Sequence, residues 1–181
     1  KKIKFLYLTL DLPMIPLFKD SQEKITIPQV NIYELFKKYN GEKFTEDPTK
    51  AQRKKYKILS LPKYLILIFK RFENNSFFME KNPTIVDFQL ENLVLEEHAL
   101  SNINKKDNNN KKEKTYSLIA NIIHDGKPGD PNFRVQIKNK ERNEWFEIQD
   151  IHVQKILAES VAVCESYIHF YELKNTKNQN I

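Results

Sequence analysis

The stretch Tyr116–Val135, YSLIANIIHDGKPGDPNFRV, decides how this chain is read. An apolar run ends at His124, a polar loop containing Gly126 and Gly129 follows, and a second run opens at Phe133. In that second run Phe133, Val135 and Ile137 alternate with Arg134, Gln136 and Lys138. A period of two is the mark of a strand with two unlike faces. The loop also poses the functional question, because His124 stands where an active-site base could stand.

Outward from this pair, the same logic finds more strands than helices. FLYLTLDL (Phe5–Leu12) alternates, with Leu6, Leu8, Leu10 and Leu12 on one side. ITI (Ile25–Ile27) is a short strand before Pro28. NIYELFKKYNG (Asn31–Gly41) reads as a helix. Asn31 caps it, Glu34 completes a capping box, and Ile32, Leu35, Phe36 and Tyr39 form its apolar stripe. Asn40-Gly41 supplies the stop. The basic segment running on to Lys57 reads as a loop or a short exposed helix. LPKYLILIFKRF (Leu61–Phe72) is a buried strand, ENNSFFMEKNP a connection with hairpin character, and TIVDFQL (Thr84–Leu90) a further strand. SNINKKDNNNKKEK (residues 101–114) is a Lys/Asn-rich insertion expected to be disordered. EWFEIQD is a strand, IHVQKILAES a turn and helix, and AVCESYIHFYEL a final strand. Many strands and few helices give an α+β fold dominated by one twisted, mainly antiparallel sheet.

Composition narrows the functional classes. A chain of 181 residues, 40% of them hydrophobic, buries roughly 70% of its extended surface, so it needs no covalent staples. A single cysteine, Cys164, excludes a disulfide framework and fits a reducing compartment, cytosol or nucleus. The longest apolar run, YLILIF (Tyr64–Phe69), is of strand length and far short of a membrane span. The chain starts inside an alternating run, as expected of a piece of a longer protein. Its net charge of +6 permits RNA or acidic protein partners without requiring them. None of the four histidines (His98, His124, His152, His169) has metal-ligand spacing with a cysteine or another histidine. Cys164 and His169, five apart in one expected strand, point to opposite faces and cannot pair as nucleophile and base. No Gly-rich phosphate loop or serine elbow is present.

Four blocks carry a resemblance: LPKYLILIFKRF, YSLIANIIHDG, NEWFEIQD and ESYIHFY, in that order. They resemble the conserved strands of the ubiquitin-specific proteases, which are papain-like cysteine hydrolases. FLYLTLDLPMIPLFKDSQEKITIPQV and NSFFMEKNPTIVDF are similar to the spliceosomal branch of that family. The resemblance implies a partial finger region with one helix over residues 1–56, a palm sheet over 57–174 and a tail at 175–181. The thumb lobe, with its nucleophile, is missing from this stretch, so the palm should expose an apolar patch.

Carried over residue by residue, the family's Gly-His-Tyr falls on Pro131, Asn132 and Phe133, and His124 matches a non-catalytic histidine. The orienting Asp or Asn falls on Gln149, and the acidic residue after it is kept as Asp150. A carboxamide at Asn132 has no titrating group and can only hydrogen-bond, whereas the reaction needs a proton acceptor such as imidazole. The catalytic set is therefore expected to be degenerate, with Pro131, Phe133 and His124 as remnants of a tail channel. Relatives often hold the fingers with zinc. No cysteine stands between Asn40 and Tyr56, so no metal and no cofactor are expected. The resemblance implies a nuclear scaffold that is not an enzyme, acting with spliceosomal tri-snRNP proteins in pre-mRNA splicing. Ubiquitin or a ubiquitin-like protein is a further candidate partner. Direct RNA contact through the basic segments is allowed but not expected, and no membrane association is expected. The alternative is an active deubiquitinating hydrolase whose cysteine lies upstream.

Overall fold

The computed structural model describes residues 1–14, 27–47, 52–74, 79–95, 114–129 and 132–174. In chain order these form β1 (Tyr7–Asp11), β2 (Gln29–Asn31), α1 (Ile32–Phe36), a 3-10 turn (Lys37–Tyr39), β3 (Asn40–Asp47) and β4 (Gln52–Lys57). Next come β5 (Tyr64–Lys70), β6 (Phe72–Asn74), β7 (Met79–Lys81), β8 (Ile85–Asp87) and β9 (Leu93–Val94). The chain closes with β10 (Thr115–Asp125), β11 (Asn132–Asn139), β12 (Glu144–Gln149), β13 (His152–Ile156), α2 (Ala158–Ala162) and β14 (Ser166–Leu173).

One eight-stranded sheet organises the molecule, in the order β1-β5-β14-β10-β11-β12-β13, with β9 paired to the start of β10. Only the β1–β5 pair within it is parallel; the rest are antiparallel. Directly opposed residues share a face, so the register sorts the side chains. On the inner face Leu8 lies opposite Leu67, Leu10 opposite Phe69, and Leu65 opposite Tyr171, and all six are buried. Ile32, Leu35 and Phe36 of α1 and Val161 of α2 join the same core. Each such large apolar side chain contributes roughly 1.5–3 kcal/mol when fully buried.

The outer face is different. One row runs Tyr7, Ile66, Phe170, Ala120, Ile137, Phe146, Lys155 across seven strands. The adjacent row runs Thr9, Ile68, Ile168, Ile122, Val135, Ile148, Val153. Almost every member is apolar, and none is buried. At ~4.8 Å per strand this open apolar face is about 30 Å wide.

Arg71, fully buried, ties the sheet to the segment before β8. It donates to the carbonyls of Ser166 (2.6 Å), Asn82 (2.9 Å) and Thr84 (2.7 Å). Burial lowers its pKa to about 10, and the negative charge of nearby Glu165 opposes part of that shift.

Several expectations need correction. The helix at Asn31 is capped as read, with Asn31 Oδ1 accepting from Tyr33 N at 3.0 Å. It ends at Phe36 and tightens into the 3-10 turn. The basic segment after it is no loop or helix but the β3–β4 hairpin. IHVQKILAES is chiefly the strand β13, followed by α2. The final strand starts at Ser166, so Cys164 precedes it. Leu6 does not join the core and is 75% exposed. β1 lies within 1–56 yet belongs to the main sheet. Ile25, Thr26, residues 101–113, Pro131 and the tail lie outside the described residues.

Candidate functional site

The β10–β11 pair places the residues singled out from sequence. Asp125 lies opposite Asn132, and His124 opposite Phe133. By alternation Asn132, Arg134 and Gln136 project to the inner face with Asp125, Ile123 and Asn121. Phe133, Val135 and Ile137 project to the outer face with His124, Ile122 and Ala120. On β12 Val135 pairs with Ile148, so Gln149 shares the inner face with Arg134. Asn132 and Gln149 are thus brought to one face on adjacent strands, and His124 is sent to the other.

His124 is buried within an aromatic cluster. Its ring centroid is 4.7 Å from Phe72, 5.1 Å from Phe133 and 6.2 Å from Tyr167. Its Nδ1 has no hydrogen-bond partner. His169 is fully buried between Phe69 and Phe88, at 4.8 and 4.2 Å between ring centroids. His152 is exposed on β13, opposite Gln149. It lies two strands from β11, level with Arg134, and so about 12 Å from Asn132. Asp150 is an exposed turn residue in the tight β12–β13 connection, with φ 52°. Aspartate tolerates that left-handed conformation better than most residues, which accounts for Asp150 without catalysis.

Beside Asn132 the inner face holds a polar ladder. Arg134 grips Asp125 with two nitrogens, Nη2 reaching Oδ1 at 3.1 Å and Nε reaching Oδ2. Its Nη1 donates to Glu147 Oε2 at 2.7 Å. Glu147 also accepts from Gln136 (3.0 Å) and Gln154 (3.0 Å). Asn121 donates to Gln136 Oε1 at 3.0 Å and to Cys164 Sγ at 3.1 Å. The hydrogen bond from Arg134 holds the Asp125 carboxyl below its ordinary value, and the same contact raises Arg134. Burial pushes the Cys164 thiol up, so it is a poor nucleophile. Its polar neighbours are Asn121, Gln136, Ser166 and the Val161 carbonyl.

This ladder lines a cleft of about 820 Å³ whose other walls include Ile27, Lys81, Pro83, Ile85 and Val163. No group of three potential metal ligands occurs among the described residues. The arrangement positions and shields charge: Asp125, directly opposite Asn132, is held by Arg134, and His124 lies on the other face. Sequence reasoning missed Asn121, Arg134, Glu147 and Gln154. The available signal was the polar alternation of β11, which equally describes a solvated face.

The family model for "Ubiquitin carboxyl-terminal hydrolase" matches residues 9–171. The chain is 39% identical over 180 residues to human "Ubiquitin carboxyl-terminal hydrolase 39", covering 97% of this chain and 31% of the relative. It is 37% identical over 174 residues to "Probable mRNA-splicing protein ubp10" of Schizosaccharomyces pombe, covering 94% and 34%. The crystal structure of an essential yeast splicing factor superposes with a TM-score of 0.62 at 27% identity, covering 94% of this chain and 37% of that one. The chain thus spans about a third of the length of these relatives. With the family match running through the sheet from β1 to β14 and the fold shared, the chain belongs to the ubiquitin carboxyl-terminal hydrolase family.

Proposed function

We propose that this chain is part of a catalytically inactive member of its family, a scaffold that supports tri-snRNP assembly and pre-mRNA splicing in the nucleus. The observation that carries the reading is geometric. The positions of base and orienter share one face as Asn132 and Gln149, while His124 faces the other way. A histidine on the opposite face of a sheet cannot serve a nucleophile docked beside Asn132. Loss of a triad base costs on the order of a million-fold in turnover. The splicing assignment rests on the relatives that carry splicing in their names, and the open apolar face offers area for protein contacts.

The test uses the full-length protein with a fluorogenic ubiquitin C-terminal substrate, alongside complementation of a splicing extract depleted of the protein. The expected result is no turnover and full complementation, with Asn132→Ala complementing equally well. Turnover that disappears when an upstream cysteine is changed would overturn the inactive reading. Failure of the wild-type protein to restore splicing would overturn the scaffold reading.

A further inference from the structure

The two edges of the large sheet are treated differently. At β1 the edge is blocked by a side chain. The Tyr39 hydroxyl donates to the Thr9 carbonyl at 2.7 Å and accepts from the Thr9 N–H at 3.1 Å. Lys38 adds an ion pair to Asp11 at 2.6 Å. Edge strands present unpaired backbone groups to any passing strand, and natural proteins cover or disrupt them. At β13 no side-chain cap like that of Tyr39 occurs among the described residues, and Lys155 is the one charged residue within the strand. β13 pairs only with β12, without a bulge or proline.

Three apolar side chains along that edge are exposed. Ile151 is 90%, Val153 63% and Leu157 71% exposed. They fall at alternate positions with Lys155 between Val153 and Leu157. Leu157 is itself extended, with φ −80° and ψ 150°. Val153 and Lys155 end the two outer-face rows, so an added strand would continue an apolar surface that already spans the sheet.

We propose that β13 is a docking edge for an extended segment of a partner protein, which adds antiparallel or parallel as one more strand. Its outer-face residues would be apolar beside Val153 and Leu157, and acidic beside Lys155. Charge favours this occupant. Lys155 pairs with Glu144 at 2.5 Å in an exposed bridge, and an ammonium has donors for a second carboxylate. The chain as a whole carries a net charge of +6. A second copy is disfavoured because β13, HVQKI, brings no carboxylate of its own. Strand addition takes affinity from the main chain and specificity from alternate side chains.

The test is hydrogen–deuterium exchange by mass spectrometry on the full-length protein. The probe is a capped decapeptide in which threonine alternates with valine and glutamate, and the control carries lysine for glutamate. Without peptide, the amides of residues 152–156 that point away from β12, every second one, should exchange fast, and β12 slowly. The glutamate peptide at about 1 mM should slow residues 152–156 by at least about fivefold, and the control should not. Val153→Asp should abolish the effect without changing Tm, and Lys155→Glu should transfer the preference to the lysine peptide. Outward-pointing amides of residues 152–156 already protected without peptide would mean that another part of the protein covers the edge. Protection that rises with protein concentration would mean a second copy. Either outcome, or equal response to both peptides, overturns the proposal.

Discussion

Mild acid should weaken this fold through one residue, His169. Its ring is fully buried on β14 against Phe69, Phe88 and Tyr171, and neither ring nitrogen has a hydrogen-bond partner. Burial, with the charge of Arg71 adding to it, lowers its pKa from 6.5 to about 3. The folded protein therefore holds this imidazole neutral, while the unfolded chain takes up a proton as pH drops below ~6.5. Below that value the unfolded state binds more protons, so stability falls with falling pH. The slope is about 1.4 kcal/mol per pH unit, giving a loss of roughly 2–3 kcal/mol between pH 6.5 and 4.5. Above pH 6.5 the effect vanishes. Carboxylates held low titrate beneath this window. Glu91 is the clearest: burial pushes it up, but hydrogen bonds from Lys138, Lys174 and Ser117 outweigh that and hold it at about 2. Urea unfolding followed by Trp145 fluorescence, from pH 7.5 to 4.5, reads the effect. His169→Phe should remove the extra slope across that window, since a phenyl ring fills the aromatic site without a titrating nitrogen. Parallel pH dependence in the two proteins would refute the reasoning.

Two further outcomes follow from buried contacts. Arg71→Ala should cost about 3–5 kcal/mol in urea unfolding, because three carbonyls would be left unpaired around a cavity. Arg71→Lys should recover only part of this, since one ammonium cannot reproduce the fork. Tyr39→Phe removes the hydroxyl that covers Thr9, and should cost about 1–2 kcal/mol. It should also accelerate exchange of the Thr9 amide and raise the tendency to aggregate through β1, read by light scattering.

Much of the fold was legible because its signals are short-range. The alternation in LYLTLDL and YLILIF, the Asn31 cap and the strands on either side of the His124 loop each depend on residues a few positions apart. β13 was not legible. HVQKI has no apolar alternation of its own, and it is a strand because β12 offers it an unpaired edge. The β3–β4 hairpin was hidden for a similar reason, its basic residues giving no periodic signal. In the site, the resemblance named Asn132 and Gln149, but their common face and the separation of His124 onto the other required the register.

By itself the sequence determined where several strands of two-faced character lie and which residue types flank the His124 loop. It could not determine which face of each strand is buried, because alternation is symmetric. Only the tertiary structure decided that on β11 the polar side, Arg134 and Gln136, packs inward while Val135 and Ile137 stand open. The cause is in β10. Tyr116 and Leu118 point inward with Tyr171, but the irregularity between Leu118 and Ala120 shifts the parity. Beyond it Asn121 and Ile123 turn inward instead. One extra residue in one strand reassigns every side chain after it, and nothing local announces that residue until its partner strand is in place.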